Sequence, residues 1–132
     1  MANEITFNGS IVASSTNFSE RIEPGSLSID LSDLEMASGV KEVTEASAGT
    51  EIVATTSGLA SGGMYFFRNL STTLSVEVGR GPSGSFAQFL MLKPGEYSIG
   101  RLASTMPAAV AVFARTTTTG TAELQFKVFD GT

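Results

Sequence analysis

Ala122-Glu123-Leu124-Gln125-Phe126-Lys127-Val128 alternates apolar and polar residues without a break. A period of two puts Ala122, Leu124, Phe126 and Val128 on one face of an extended chain and Glu123, Gln125 and Lys127 on the other. That is the pattern of an antiparallel strand with one buried face. Leu74, Val76 and Val78 alternate with Ser75 and Glu77 in the same way, as do Leu27, Ile29 and Leu31 with Ser28 and Asp30. Ile5 and Phe7 open a first strand, which Ile11 and Val12 continue past a bend at Gly9. Met64 to Phe67 and Phe86 to Leu92 are denser apolar runs and read as central strands or strands covered on both sides.

Turn chemistry separates these segments. Glu23-Pro24-Gly25-Ser26 and Lys93-Pro94-Gly95-Glu96 place Pro before Gly. This suits a type II turn, in which Pro presets φ and Gly takes a positive φ. Gly79 to Gly84 reads as a long hairpin loop, Thr116 to Gly120 as the loop before the final strand, and Ser57 to Gly63 as a Gly-rich lead into Met64. One stretch, Leu31 to Val43, is read as a short helix or an irregular loop. Asp30, Ser32, Asp33 and Glu35 suit a helix start, and Gly39 an end. The expected strands are 3–13, 19–31, 43–56, 63–70, 73–79, 85–92, 96–102, 108–116 and 121–129. With neighbours merging they make about eight, the spacing of an all-β antiparallel sandwich or barrel.

The chain has 132 residues and a mass of 13.7 kDa, the size of a single domain spanning 1–132. Residues 1–20 are the least patterned and read as an arm or an edge strand. Composition narrows the chemistry. There is no His, no Cys and no Trp. A Ser-His-Asp triad, a Cys nucleophile, a histidine base, and zinc or iron sites made from His or Cys are therefore excluded. The net charge of -5 argues against a general nucleic-acid binder. It is unevenly spread, at -7 over residues 1–66 and +2 over residues 67–132. The start, Met1-Ala2-Asn3-Glu4-Ile5, lacks the basic residue and apolar stretch of a signal peptide. The longest nearly uninterrupted apolar run, Pro107 to Ala114, is too short to cross a bilayer. Synthesis in a cytoplasm, without membrane association, is the expectation. Asn8, Asn17 and Asn69 each open an Asn-x-Ser sequence, read as a chance product of a Ser- and Asn-rich chain.

Candidate sites are few. Asp30, Asp33 and Glu35 form the densest acidic cluster and could hold a cation through oxygen ligands, but the spacing lacks the glycine and distal Glu of an EF-hand loop. A solvated loop or helix start is the plainer reading. Paired carboxylates for glycoside hydrolysis would need aromatic platforms, for which only Tyr65 and Tyr97 offer themselves. Gly79 to Gly84 has no Gly-Lys-Ser/Thr ending and so is not a phosphate loop. Arg68, Arg80, Arg101 and Arg115, interleaved with Tyr65 and Phe67, suit a protein interface better than a single-stranded nucleic-acid surface. Met64, Met91 and Met106 read as core filler or as an apolar contact patch. No catalytic residue, metal ligand or cofactor is expected.

Three segments carry a resemblance. They are Tyr65-Phe66-Phe67-Arg68-Asn69-Leu70, Leu74-Ser75-Val76-Glu77-Val78-Gly79 and Phe86-Ala87-Gln88-Phe89-Leu90-Met91-Leu92-Lys93-Pro94-Gly95-Glu96. With the final strand ending at Phe129-Asp130, this half of the chain resembles small structural proteins of tailed bacteriophages. The resemblance implies a jelly-roll sandwich and a capsid decoration or cement protein, located at the virion's capsid surface after synthesis in the host cytoplasm. It further implies the major capsid protein as partner; self-association as a dimer or trimer is expected because closed symmetric oligomers are the common solution and suit the symmetry axes of a shell. It carries over no site residue. The alternatives are a phage tail or head-fibre module and a carbohydrate-binding β-sandwich. The contact surface is expected in loops 57–63, 79–84 and 116–120 and in the N-terminal stretch.

Overall fold

The computed structural model describes residues 4–16, 18–23, 25–30, 36–46, 49–55, 57, 59, 62–81, 86–103, 106 and 110–130. Among these residues there are twelve strands and no helix. The first four are β1 (Glu4–Asn8), β2 (Ile11–Ser15), β3 (Phe18–Ile22) and β4 (Ser26–Asp30). The other eight are β5 (Met36–Thr44), β6 (Thr50–Val53), β7 (Gly62–Asn69), β8 (Val76–Arg80), β9 (Ala87–Leu92), β10 (Tyr97–Arg101), β11 (Val112–Thr116) and β12 (Thr121–Asp130).

The pairing of β5 to β12 is nested. β5 lies antiparallel to β12, β6 to β11, β7 to β10 and β8 to β9. The chain is thus one long hairpin, and the further pairs β7–β12 and β8–β11 roll it up. The result is two four-stranded sheets, ordered β10-β7-β12-β5 and β6-β11-β8-β9. This wrap is the jelly-roll topology, so the expected all-β antiparallel sandwich is the fold observed.

β12 sits inside the first sheet, and its burial alternates through all ten residues. Ala122, Leu124, Phe126 and Val128 face inward with Val43 and Phe67. Ile52, Val53, Val76, Val78, Leu92, Val112 and Ala114 meet them from the second sheet. Burying this many branched and aromatic side chains is the main favourable term holding the two sheets together.

The connections gather at two ends. Met36, Val53, Gly62, Arg80, Ala87, Arg101, Val112 and Asp130 mark one end; Thr44, Thr50, Asn69, Val76, Leu92, Tyr97, Thr116 and Thr121 mark the other. The Lys93-Pro94-Gly95-Glu96 turn forms as expected, while Pro24 of the first Pro-Gly pair lies outside the described residues. Gly25 and Gly95 have φ of 84° and 77°, which favours glycine. Glu96 N donates to Lys93 O at 3.0 Å, closing the second turn.

Four expectations are corrected. The helix over 31–43 does not form in its described part, because 36–44 is strand β5; residues 31–35 lie outside the described residues. The strand 43–56 divides, since Gly49 takes a φ of 71° and its N–H donates to Ala46 O at 2.7 Å, making a turn between β5 and β6. The strand 108–116 begins at Val112 among the described residues. The strands 3–13 and 19–31 each split at their Gly-containing bends. Residues 4–30 are therefore two nested hairpins, β1–β4 and β2–β3, and neither pairs with a sandwich sheet. The pairing steps by one residue between them, from Asn8 opposite Ser26 to Ile11 opposite Ile22. This is an arm rather than an edge strand of the sandwich.

Candidate functional site

At the end where the arm joins, the two sheets part to leave a cleft of about 410 Å³. Its walls come from both sheets: Tyr65 and Arg101 from the first, and Arg80 and Phe89 from the second, with Leu102 and Met106 beneath. The ladder between β8 and β9 shifts register between Val78 and Gly79. Val78 lies opposite Leu90 while Gly79 lies opposite Gln88, so Phe89 is the extra residue of a β-bulge. A bulge re-aims its side chain. The Phe89 ring accordingly reaches the Tyr65 ring of the facing sheet, with centroids 6.5 Å apart. Tyr65 is itself held by stacking on Phe67 at 4.9 Å and by lying over Gly100. Phe89 remains 43% exposed. The cleft thus combines a fixed aromatic and apolar wall with two guanidinium groups.

The second surface is the outer face of the sheet β10-β7-β12-β5. Tyr97 is 62% exposed there and stacks on Phe66 at 6.0 Å. Met36 and Val40 of β5 are also exposed on this face. Across the ladder, Tyr97 lies opposite Arg68, Arg68 opposite Gln125, and Gln125 opposite Val40. An apolar and cationic strip therefore crosses all four strands. The third surface is the β2–β3 hairpin, where Ile11, Val12 and Ile22 are exposed.

The four arginines do not form one stripe. Arg68 is on the outer face of the first sheet, Arg80 and Arg101 line the cleft, and Arg115 is on the outer face of the second sheet. Arg115 Nε donates to Glu77 Oε2 at 2.7 Å, and its guanidinium lies 4.4 Å over the Phe86 ring, which itself covers Gly79. This cluster fastens the entry to β9 onto the sheet. Arg115→Ala is expected to cost about 1–2 kcal/mol through the joint loss of a partly buried ion pair and a cation–π contact. Urea unfolding measures it, and a double-mutant cycle with Phe86→Leu separates the two contributions.

Tyr65 and Tyr97 do not make a joint platform. Tyr65 faces the sheet interior and the cleft, and Tyr97 faces out. Met64 and Met106 are buried, as core filler should be, whereas Met91 is exposed opposite Glu77. Asp30 ends β4, while Asp33 and Glu35 lie outside the described residues. No group of three metal-ligating side chains occurs among the described residues. Of the expected contact loops, 57–63 and 79–84 share the cleft end in their described residues, but 116–120 closes the opposite end. There Thr116 Oγ1 donates to Thr118 O at 2.9 Å, an internal bond of the turn.

That opposite end is tied by a residue whose role the sequence does not announce. Asn69 is fully buried and bonds to four backbone groups from three segments. A buried amide cannot accept a glycan in the folded chain, so Asn69-Leu70-Ser71 serves packing. No protein-family model matches the chain, and neither a curated protein nor a solved structure matches it.

Proposed function

We propose that this chain is a virion structural protein of decoration or cement type, which binds the outside of a tailed-bacteriophage capsid and stabilises it. The observation that carries the reading is the outer face of β10-β7-β12-β5. It is a preordered sheet surface with Tyr97, Val40 and Met36 exposed beside Arg68 and Lys127. Exposed aromatic, Met and Arg side chains on one surface favour protein contact. A rigid strand surface loses little entropy on docking. A protein that binds the assembled shell and not its free subunits stabilises the shell by mass action. Repetition over the shell lets modest contacts act together. The resemblance of residues 65–130 to phage structural proteins supports the same role.

Purified chain added to capsids lacking it is expected to bind saturably and to raise their melting temperature. Joint replacement of Tyr97→Ser and Val40→Ser is expected to weaken binding about tenfold or more, the scale of losing one aromatic anchor. Both residues are exposed, so the fold is kept. Absence of binding to capsids overturns the reading. Particle cryo-microscopy that places the chain on a tail or fibre replaces it with the alternative virion role.

A further inference from the structure

The arm has an unfinished face. Ile11 and Ile22 are register partners on β2 and β3, so they share one face of the hairpin, with Ala13 and Glu20 beside them. Ile11 is 64% and Ile22 50% exposed. Val12 and Arg21 take the other face, where Arg21 pairs with Glu23 at 2.6 Å. A two-stranded hairpin is marginal in water by itself, and an exposed isoleucine pair adds to its need for cover. Neither sandwich sheet extends its ladder to the arm.

We propose that the β2–β3 hairpin of one copy seats on the cleft of a second copy of the same chain. Three observations select this occupant. The first is matching chemistry: Ile11 and Ile22 meet the apolar wall of Phe89, Leu102 and Met106, and Glu20 meets the exposed Arg80 beside it. The second is charge. Residues 1–35 hold six acids and one base, whereas residues 67–132 sum to +2. Attraction between copies is thus built into opposite parts of one chain, which steers the encounter. The third is place. The cleft opens between β9 and β10, which are the edge strands of their sheets, so a strand-shaped guest lies beside free backbone groups. The arm also joins the sandwich at the cleft end. Ile22 stands eight residues up the hairpin from Asp30, about 26 Å of extended chain, enough to reach a neighbour lying alongside.

The test uses the full chain without capsids, so its outcome is separate from that of the capsid reading. Sedimentation equilibrium across a concentration series is expected to show a reversible oligomer. Ile11→Ser with Ile22→Ser is expected to move its dissociation midpoint at least tenfold higher in concentration, and Arg80→Glu to do so too. Adding Glu20→Arg to Arg80→Glu is expected to restore association. Circular dichroism checks that each variant keeps its strands. The chain has no cysteine, so Glu20→Cys and Arg80→Cys can be prepared as separate single variants, mixed and oxidised. A mixed disulfide then reports the contact between copies alone. A wild-type chain that stays monomeric, an oligomer indifferent to the arm substitutions, or association without the mixed disulfide each overturns the proposal. If the chain is monomeric and the arm substitutions abolish capsid binding instead, the cover is the shell and not a second copy.

Discussion

Asn69→Asp is expected to lower stability by about 4 kcal/mol and the melting temperature by about 12–20 °C, although the two side chains differ by a single group. The reason is direction. The Asn69 amide nitrogen shares its two hydrogens among Leu74 O at 2.7 Å, Leu92 O at 3.1 Å and Lys93 O at 3.2 Å, while its oxygen accepts from Ser71 N at 3.0 Å. Asn69 N–H also donates to Glu96 O at 2.9 Å. One residue thereby joins the end of β7, the 70–75 connection, the end of β9 and the Pro-Gly turn. A carboxylate keeps the Ser71 bond but turns three carbonyl oxygens against a negative charge in a site closed to water. Protonation restores a donor, so the variant's folded state binds a proton that its unfolded state releases near pH 4. Its stability is therefore highest below about pH 4 and falls as pH rises, the reverse of an ordinary paired carboxylate. Thermal melts of both chains between acid and neutral pH check the size and the sign. A flat difference across that range would mean the amide donors are not what holds this end.

Gly63→Ala is expected to be worse, at about 4–5 kcal/mol or a failure to accumulate as folded protein. A Cβ at position 63 would overlap Phe129 O and fall 2.7 Å from Phe129 C, so the clash is with backbone. It comes where the β12 to β7 ladder shifts register between Val128 and Asp130, so that Gly63 and Met64 of β7 lie against the single residue Phe129 of β12. No side chain can swing aside to make room. Gly25→Ala is the informative contrast: a Cβ there meets nothing within 4 Å, and only its φ of 84° is unfavourable. That strain costs about 1 kcal/mol. Parallel urea titrations should separate the two substitutions by about 3 kcal/mol or more. Equal midpoints would contradict the close strand approach at Gly63.

The sandwich is legible where a strand has one wet face and one dry one. Ala122 to Val128 alternates because β12 lies inside a sheet with the core on one side and solvent on the other. β5 escapes the same reading because it is an edge strand whose inward positions include Ala37, Lys41 and Gly39. The Phe126 ring fills the space over Gly39, so the partner strand supplies the apolar bulk that β5 lacks. Met36 and Val40 meanwhile point outward, which blurs the alternation further and lets a helix start compete. The cleft is hidden for another reason. Phe89 sits in an apolar run that reads as continuous strand, and only the shifted register turns it toward Tyr65. Arg80 and Arg101 come together across two sheets, a proximity made by the wrap and invisible in their spacing. Asn69 looks like a turn residue in sequence. Its three-way hold depends on carbonyls as distant as Leu92 and Lys93.

Nested pairing also sets a timetable for folding. Arg80 pairs with Ala87 across a short loop, whereas Met36 must find Phe129 across most of the sandwich. Chain-closure entropy rises with loop length, and topologies rich in distant contacts fold in about milliseconds to seconds rather than microseconds. The inner β8–β9 hairpin is positioned to form early, and each outer pair closes a shorter effective loop once the pair inside it exists. β12 bridges β5 and β7, so the first sheet cannot finish until the wrap is complete. The same ordering slows escape: pulling β12 out of the middle breaks two ladders at once. In the shell-binding role proposed above this would be a direct gain, because working lifetime there is set by the rate of opening more than by the depth of the free-energy minimum.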